Sequence, residues 1–472
     1  MKLSRRDFLK SATIGAAGVA LAACASPTPA PTTAPKAGEP TKPPAPAGPV
    51  TITYLVRTDI QPTLIKWGEQ TVDEFQKKNS NIKVEMVGVP WGDYNAKLLA
   101  MYAAGTPPEV SANYAAGFGT FLVNKAITNL DDYIKADKVD LNVLEKSAVD
   151  SVTRDGKLWA LPLANQPMVF FYNKDLFDQA GAKIPTADWT DKSWNHDAFV
   201  TASKAISKDM DDPKKAVWGS VYTESHFGTL LFWRYGVDPL NNQGGPDKTA
   251  AYKTGKVTEV FFDQPKCIEA MQWLVDLTHK LKVSPRTSDT DALNQAVGWS
   301  FLSGRIGMFS EGTWRLGDIF KANLNFKWGM APLPFGPSGS NLCPIYNDSW
   351  MLCAKSKNPD AGWKFLKYVG LEEGAKLYAE VTGFMPAKKD LFDLFYDSVM
   401  KAKGFSMTRE DMIKVFTGGF KDAFPTPGKT IDRFPEFNTA WNQTTAPIKN
   451  AEVKVEEGMK AVQAKFKSLV TS

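Results

Sequence analysis

The chain has 472 residues, 43% of them hydrophobic, and a formal net charge of +5. Most of that charge is local, because four basic residues and one acidic residue fall within residues 1–23. Basic and acidic residues are interspersed along the remainder, so the composition gives no sign of a nucleic-acid-binding surface. The 423 residues of 50–472 exceed one ordinary hydrophobic core and predict two domains or lobes.

The first 23 residues have the pattern of an export signal. SRRDFLK (4–10) is a twin-arginine pattern, and a run of small and apolar residues follows that is too short to span a bilayer comfortably. The run ends in LAAC (21–24), which resembles the lipobox of bacterial lipoproteins. Cleavage before Cys24 would leave its thiol to carry a lipid, which predicts an extracytoplasmic protein anchored to the cell membrane. A plain signal peptide followed by an unrelated cysteine is the alternative.

A proline-rich stretch follows this leader. Residues 25–49 include nine prolines and almost no large apolar residue, so the stretch cannot contribute to a core and stays extended. We interpret residues 24–49 as a tether that holds a globular body away from a membrane. A tail without a role is the alternative.

The body begins with alternating strand and helix signals. β-branched runs at 50–56 and 82–89 predict strands, as does a shorter one at 110–112, and apolar residues at helical spacing lie between them. This βαβαβ order predicts a parallel sheet with right-handed crossovers, and ligands bind at the carboxyl ends of such strands. Interrupted strands near 156–172 and 328–339, together with the segment 365–378, predict three crossovers between the lobes.

The remaining chemistry-bearing residues indicate neither a disulfide framework nor a catalytic centre. Cys267, Cys343 and Cys353 are an odd set, and buried reduced thiols are favoured over a Cys343–Cys353 bridge, which stays open. The sequence lacks the short motifs of P-loop enzymes, α/β-hydrolases and zinc peptidases, and its three histidines are scattered. We therefore expect no cofactor, no metal and no enzyme, although a pair of glycosidase carboxylates is not excluded by spacing.

Seven segments, in order along the body, resemble the extracellular solute-binding proteins of ABC importers, in the family that includes maltose-binding protein. They are AAGTPPEV (103–110), DGKLWALPLA (155–164), VFFYNKDLFDQAG (169–181), FLSGRIGMFSEGTW (301–314), WGMAPLPFGPSG (328–339), SKNPDAGWKFLKYV (356–369) and TGFMPAKK (382–389). The resemblance implies an α/β, type II periplasmic-binding-protein fold, in which two lobes joined by a hinge of about three crossovers close on a ligand.

The implied amino-terminal lobe comprises 50–161 plus about 333–370, and the carboxy-terminal lobe about 162–332 plus 371–472. The implied partners are a small sugar and the permease subunits of an ABC transporter. A monomer is expected, because the family is mostly monomeric.

The resemblance also assigns site residues, of which Trp314 is the foremost. It follows the strand 306–310 and a short loop, so its indole should lie over the cleft as a platform for a sugar ring. The alternative is that it covers a helix start. The other candidate ligand-binding residues are Trp441, Asp59, Asn113, Gln166, Trp233, Glu311 and Asp348.

Each of these has a structural alternative. Trp441 and Trp233 are equally explained as core residues, and Asp59 as a helix cap. Glu311 is equally explained as a partner of Arg315. Asn113 stands where maltose-binding protein has a tryptophan, and Ala116 and Gly117 replace its polar contacts.

Three hypotheses follow. The first is a lipid-anchored sugar-binding component of an ABC importer. The second is a binding protein for another solute, such as a polyamine or a polyol. The third, from a different class, is a secreted carbohydrate-active hydrolase, which catalytic turnover of a glycoside would support.

Overall fold

The computed structural model describes residues 48–470 apart from 59–61, 115–116, 211, 213, 241–250 and 422. The signal peptide, Cys24 and most of the tether lie outside the described residues, and so does Asp59. Within the described ranges, no helix is both long enough and apolar enough to cross a membrane.

The described strands form two main sheets and a hairpin. One sheet has five strands in the order β2-β1-β3-β12-β6, another has six, with β13-β11-β7-β9-β8 in line and β10 also on β7, and β4 pairs with β5. The strands are β1 (Val50–Arg57), β2 (Ile82–Val89), β3 (Val110–Tyr114), β4 (Thr153–Arg154), β5 (Lys157–Leu158), β6 (Leu161–Pro162), β7 (Gln166–Asn173), β8 (Trp218–Val221), β9 (Ile306–Gly312), β10 (Trp328–Ala331), β11 (Pro344–Tyr346), β12 (Asp348–Leu352) and β13 (Phe424–Pro425).

Helices cover both sheets. The α-helices are α1 (Pro62–Lys78), α2 (Trp91–Ala103), α3 (Phe118–Val123), α4 (Asp131–Ala136), α5 (Lys146–Ser151), α6 (Lys174–Ala180), α7 (His196–Ile206), α8 (Thr229–Phe232), α9 (Ala251–Thr254), α10 (Pro265–His279), α11 (Thr287–Val297), α12 (Leu316–Lys321), α13 (Pro359–Leu371), α14 (Glu373–Thr382), α15 (Phe392–Met400), α16 (Arg409–Lys421), α17 (Pro427–Thr430), α18 (Phe434–Lys449) and α19 (Val455–Val470). Short 3₁₀ turns occur at Leu141–Val143, His226–Gly228, Trp233–Tyr235, Ser300–Ser303, Thr313–Arg315 and Lys389–Leu391.

The five-stranded sheet, with its helices, is the amino-terminal lobe, and its first three strands confirm the predicted βαβαβ unit. β1 pairs in parallel with both β2 and β3. The apolar side of α1 includes Trp67 and Phe75, each 1% exposed, and Phe75 meets Phe365 of α13 edge to face at 5.0 Å. Burying one such side chain stabilises the fold by about 1.5–3 kcal/mol, so this face fixes α1 on the sheet.

The six-stranded sheet, with its helices, is the carboxy-terminal lobe, and β7 is its centre. All eight residues of β7 are buried, because hydrophobic clusters cover both faces. Phe170 faces one cluster and Phe171 the other, as the alternation of side chains along a strand requires. A strand covered on both faces reads as an unbroken apolar run, which is the pattern of MVFFY in the sequence.

The chain passes between the sheets at positions that differ in part from the predictions. β6 ends at Pro162 and β7 begins at Gln166, close to the first predicted crossover. The second passage is Asn347, between β11 of one sheet and β12 of the other, and not near 333. The stretch 328–339 instead contains edge strand β10 and a loop of the carboxy-terminal lobe, because proline and glycine end that strand without sending the chain across.

The third predicted passage, at 365–378, also lies elsewhere. α13 and α14 belong to the amino-terminal lobe, where the indole of Trp67 donates to the Gly374 carbonyl at 2.9 Å and Tyr378 is fully buried. The clusters change between Phe384, which packs with the amino-terminal lobe, and Met385, which packs with the other. The cluster of the amino-terminal lobe also includes Leu391, so this lobe extends beyond the predicted boundary at 370.

The two lobes also separate the cysteines. Cys343 is buried beside β11 in the carboxy-terminal lobe, whereas Cys353 is buried just after β12 in the other lobe. Their thiols donate to different partners, the Met168 carbonyl and the Ser111 hydroxyl, each at 3.4 Å. The open alternative of a Cys343–Cys353 bridge is therefore wrong, and Cys267 is a buried free thiol as well.

We predict that the thiol count does not depend on reducing agent. In a chain that begins at residue 24 and carries Cys24→Ser, three thiols should react with Ellman's reagent after denaturation, whether or not the protein was first reduced. The reason is that all three cysteines are buried and unbridged, and burial raises the pKa of each thiol to about 12, which disfavours the reactive thiolate. A count of one without reductant would contradict this arrangement.

Candidate functional site

Polar side chains from both sheets meet where the lobes adjoin. In the antiparallel pair of β3 and β12, Tyr114 stands opposite Asp348, and Asn113 stands opposite Ser349. On the other side of the Asn347 passage, Gln166 at the start of β7 stands opposite Tyr346 at the end of β11. The carboxyl end of β3 and the first residue of β7 are therefore brought to one place, although they are far apart in sequence.

Asp348 is the centre of this polar group. Its Oδ2 accepts from the Gln166 side-chain amide at 3.4 Å and from the Tyr378 hydroxyl at 3.3 Å. Asp348 is 6% exposed and Gln166 is 2% exposed, and the Gln166 Oε1 is buried without a protein partner. An amide oxygen in that position is an acceptor available to a donor from a ligand hydroxyl.

Lys429 enters the same group from α17. Its Nζ donates to Asn113 Oδ1 at 2.5 Å and to Ser349 Oγ at 2.8 Å, and it lies 3.4 Å from the Asn113 carbonyl. The side chain has no exposed surface. Asn113 is thus brought to the predicted site, but its amide oxygen is already occupied by a cation from the other lobe.

Burial sets the ionisation of this group. Desolvation raises the pKa of Asp348 to about 6, and the nearby positive charges of Lys429 and Arg57 oppose that rise. Desolvation also lowers the pKa of Lys429 to about 7, opposed by the charge of Asp348. Tyr378 and Tyr114 face the same carboxylate, and burial raises the pKa of both phenols far enough to keep them neutral donors at ordinary pH.

Trp314 forms the aromatic side of the site. It lies in the turn Thr313–Arg315 after β9, is partly buried, and packs against the hydrophobic clusters of both lobes. Tyr346 meets its indole edge to face at 4.7 Å. A Cβ on Gly312 would come within 1.8–2.1 Å of three atoms of the indole, so the ring lies directly over this glycine. Trp314 thus packs against both lobes, and its role as a platform for a sugar ring stays a prediction.

A strained loop supports Tyr346. Ser225 has φ 62° and ψ −171°, a conformation that is ordinarily restricted to glycine, and Phe227 also has a positive φ. The Ser225 hydroxyl shares a hydrogen bond of 2.5 Å with the Tyr346 hydroxyl. Strain of this kind costs about 1–3 kcal/mol and persists only where other contacts hold it. The loop therefore fixes Tyr346, which in turn limits where the Trp314 ring can lie.

Glu311 lies beside this aromatic side and pairs with Arg315. Its Oε2 is 3.7 Å from Arg315 Nε, and Arg315 also donates to Asp318 at 3.0 Å. Burial raises the pKa of Glu311, with Arg315 acting in the opposite direction. Of its two predicted roles, the structure shows the ion pair.

Trp233 and Trp441 are corrections to the predicted site. Trp233 is fully buried, donates to Asp238 at 3.2 Å and packs edge to face on Phe424 at 5.0 Å. Trp441 is 2% exposed and lies in the core of the last helices, against Phe262 at 5.7 Å. Both indoles are enclosed by other aromatic rings, so neither offers a face to a ligand in this structure.

Three residues of the site were not predicted from sequence: Lys429, Tyr346 and Tyr378. Tyr346 stands two residues before Asp348 and on the other side of the Asn347 passage, so its proximity to a candidate residue was the available signal. The sequence around Lys429 gave no such signal, because a lysine in a short proline-glycine turn is most often a solvated residue.

Comparison with known proteins agrees with the two-lobed fold. A family model described as bacterial extracellular solute-binding protein matches residues 70–404, a range that contains all seven segments quoted above. The chain belongs to this family. The structure of an ABC substrate-binding protein from Listeria monocytogenes in complex with cycloalternan has a TM-score of 0.73 at 22% identity, covering 89% of this chain and 99% of that one. The predicted two-lobed α/β fold is thereby confirmed.

Two relatives of this solute-binding protein are named for the ligands that they bind. The maltodextrin-binding protein of Bacillus subtilis is 23% identical over 314 residues, which is 64% of each chain. The sn-glycerol-3-phosphate-binding periplasmic protein of Rhizobium meliloti is 25% identical over 333 residues, which is 67% of this chain and 71% of its own. Both are binding proteins.

We predict that Gly312→Ala weakens ligand binding at least about tenfold, equivalent to about 1.4 kcal/mol. The added methyl group overlaps the Trp314 ring and must displace it from its place between the lobes. Gly92→Ala is the matched control, because a Cβ there meets no atom within 4 Å. Isothermal titration of both variants with the same ligand measures the effect. Equal affinities of Gly312→Ala and Gly92→Ala would contradict the prediction.

The ionisation of Lys429 predicts a pH dependence of stability. Its pKa is lowered from 10.5 to about 7, so between these values the folded chain binds fewer protons than the unfolded chain, and stability rises with pH. Asp348 acts oppositely, because its pKa is raised from 3.8 to about 6. Its contribution to the free energy of unfolding therefore falls as the pH rises between those two pKa values. The free energy of unfolding of the wild type minus that of Lys429→Met should therefore increase from pH 7 to pH 10.

Urea unfolding at a series of pH values measures this difference. Lys421→Met, at the exposed end of α16, is the control and should give a flat difference. A flat difference for Lys429→Met as well would show that Lys429 keeps its ordinary pKa in the folded chain.

Proposed function

We propose that this solute-binding protein captures a carbohydrate between its two lobes and delivers it to the permease of an ABC importer. The observation that carries the proposal is the position of Trp314, an indole packed against both lobes and placed beside a buried group of planar polar side chains. Aromatic faces suit the C–H faces of sugar rings, while carboxylates and amides suit hydroxyl groups.

The polar residues support discrimination between similar sugars. A ligand hydroxyl that donates to Gln166 Oε1 satisfies a buried acceptor that has no partner within the protein. A buried polar group without a partner costs about 1–3 kcal/mol, so an epimer with its hydroxyl turned away binds about 5- to 150-fold more weakly. Maltodextrin and cycloalternan, the ligands of two of the compared proteins, are also saccharides.

The role includes no catalysis. The protein acts by closing around its ligand, and its predicted lipid on Cys24 with the tether of 24–49 would keep it near the membrane, outside the cytoplasm. We expect it to act as a monomer.

A polyol or a polyol phosphate is the second candidate ligand. One relative is named for sn-glycerol-3-phosphate, and the site described above contains a buried cation at Lys429. That cation is surrounded by protein oxygens, which makes it less available to a phosphate than to the side chains it already contacts.

We predict a selective thermal shift with a saccharide. The chain from residue 24 with Cys24→Ser is screened against mono- and oligosaccharides, polyols, glycerol phosphate, amino acids and polyamines. A ligand at about a hundred times its dissociation constant adds about 2.7 kcal/mol to the free energy of unfolding, which raises the melting temperature measurably. Trp314→Ala should abolish the shift.

Trp189→Ala is the matched control for loss of an indole. Trp189 is partly buried in the carboxy-terminal lobe, where it packs on Gly418 of α16 and its indole donates to the Val415 carbonyl at 2.8 Å. It should keep the saccharide shift. A shift with a charged solute and none with any saccharide would overturn the carbohydrate proposal, and turnover of a glycoside would overturn the proposal of a binding protein.

A further inference from the structure

Residues Thr426–Asp432 form a segment of the carboxy-terminal lobe that reaches into the other lobe, and we call it the clasp. On one side it follows β13, which pairs in parallel with β11. On the other side Ile431 is 1% exposed within the core of the carboxy-terminal lobe, and α18 begins at Phe434. Both ends of the clasp are thus fixed in the same lobe.

The backbone of the clasp is bonded to the amino-terminal lobe. The Gly117 N–H donates to the Gly428 carbonyl at 2.9 Å, and the Thr120 hydroxyl donates to the Asp432 carbonyl at 2.7 Å. Arg154, from β4, donates to the Thr430 carbonyl at 2.7 Å. These donors come from two separate parts of the amino-terminal lobe, so the clasp is held along its length.

An ion pair with little exposed surface joins the same two parts of the chain. Arg154 Nη1 lies 3.2 Å from Asp432 Oδ1, and the two side chains are only 11% and 10% exposed. Unlike a surface pair, such a pair is poorly screened by salt, and separating the lobes would break it and hydrate both charges.

Lys429 is the part of the clasp that reaches the candidate site. An ammonium group has three donors, and its contacts with Asn113 Oδ1, Ser349 Oγ and the Asn113 carbonyl account for all three. The Phe118 ring covers it at 5.8 Å. Lys429 therefore does not present a free donor to a ligand, but it fixes the Asn113 amide and the Ser349 hydroxyl in orientation.

The contact surface is close enough to require a glycine. A Cβ on Gly119 of α3 would lie 2.8 Å from the Ile431 carbonyl oxygen and 2.9 Å from Asp432 Oδ1. Its backbone φ is not in the left-handed region, so alanine is compatible with the helix itself. The glycine is needed there because of the clasp on the other lobe.

We propose that the clasp holds the two lobes together in the closed form, and that Lys429 is a positioning residue that sets Asn113 and Ser349 when the lobes close. The first part of this proposal concerns contacts within this chain alone, whereas the effect of the clasp on ligand affinity rests on the proposed function. Opening the lobes breaks the clasp contacts together, because they are all made by one short segment with both ends in the same lobe. Closure is then a two-state event in which the clasp sets the closed population.

The test measures the distance between the lobes in the chain from residue 24 with Cys24→Ser. Dyes are attached to Lys97→Cys and Lys465→Cys, which replace exposed residues of the two lobes, while the native cysteines are buried. Single-molecule energy transfer gives the closed fraction without ligand and with the saccharide found by thermal shift, and stopped flow gives the ligand off-rate.

Four variants separate positioning from simple destabilisation. Lys429→Met keeps the apolar stem and removes the donors, and it should lower the closed fraction and raise the off-rate at least about fivefold, within the range of typical couplings. Lys429→Arg keeps a cation, so it should restore part of the closed fraction and bring the off-rate part of the way back to the wild-type value. Gly119→Ala should open the lobes with Lys429 intact, whereas Lys421→Met should match the wild type.

The outcomes distinguish the two proposals. Wild-type interlobe distances in Lys429→Met and Gly119→Ala would overturn the clasp, as would a fall in melting temperature without any change in closed fraction. If the wild type binds no saccharide, the proposed function fails, while the ligand-free closed fraction of each variant still decides whether the clasp holds the lobes.

Discussion

A single residue, Asn347, separates a strand of one sheet from a strand of the other, and the site depends on that short passage. β11 ends at Tyr346 on β7, and β12 begins at Asp348 on β3. The Asn347 amide donates to Asn165, which lies in the neighbouring passage between β6 and β7. With so little chain available, the two sheets cannot separate at this point, so side chains from their ends must share one desolvated volume.

Desolvation then determines which groups can be there. Removing a carboxylate and an ammonium from water costs several kcal/mol per ion unless other groups compensate. Asp348 is compensated by Gln166 and Tyr378, and Lys429 by Asn113 and Ser349, rather than by direct contact with each other. Hydrogen bonds to charged groups contribute about 1.5–3 kcal/mol each, which makes this network comparable in size to the cost it offsets. Loss of any one partner would leave a buried charge poorly compensated.

How far the sequence predicts this molecule depends on how local the signal is. The βαβαβ unit was predicted because the alternation of Thr51 to Val56 and the helical spacing of Trp67 and Phe75 are properties of a few neighbouring residues. Trp314 was predicted from a segment that resembles the family, and the glycine beneath it is only two residues away. The crossover near 333 was wrong because a proline- and glycine-rich stretch ends a strand equally well inside one lobe.

Residues whose environment is made by distant contacts were missed or misassigned. Lys429 bonds residues 316 and 80 positions away, so nothing near it in sequence distinguishes it from an exposed lysine. Trp233 and Trp441 lie in helical stretches, where local sequence does not separate a core indole from one that faces a cleft. The clasp also changes what binding requires. If contacts within the protein already favour closure, a ligand needs less differential affinity to complete it, but it must wait for those contacts to open before it can enter. The same short segment therefore raises affinity by favouring the closed state and limits the rate at which ligand arrives.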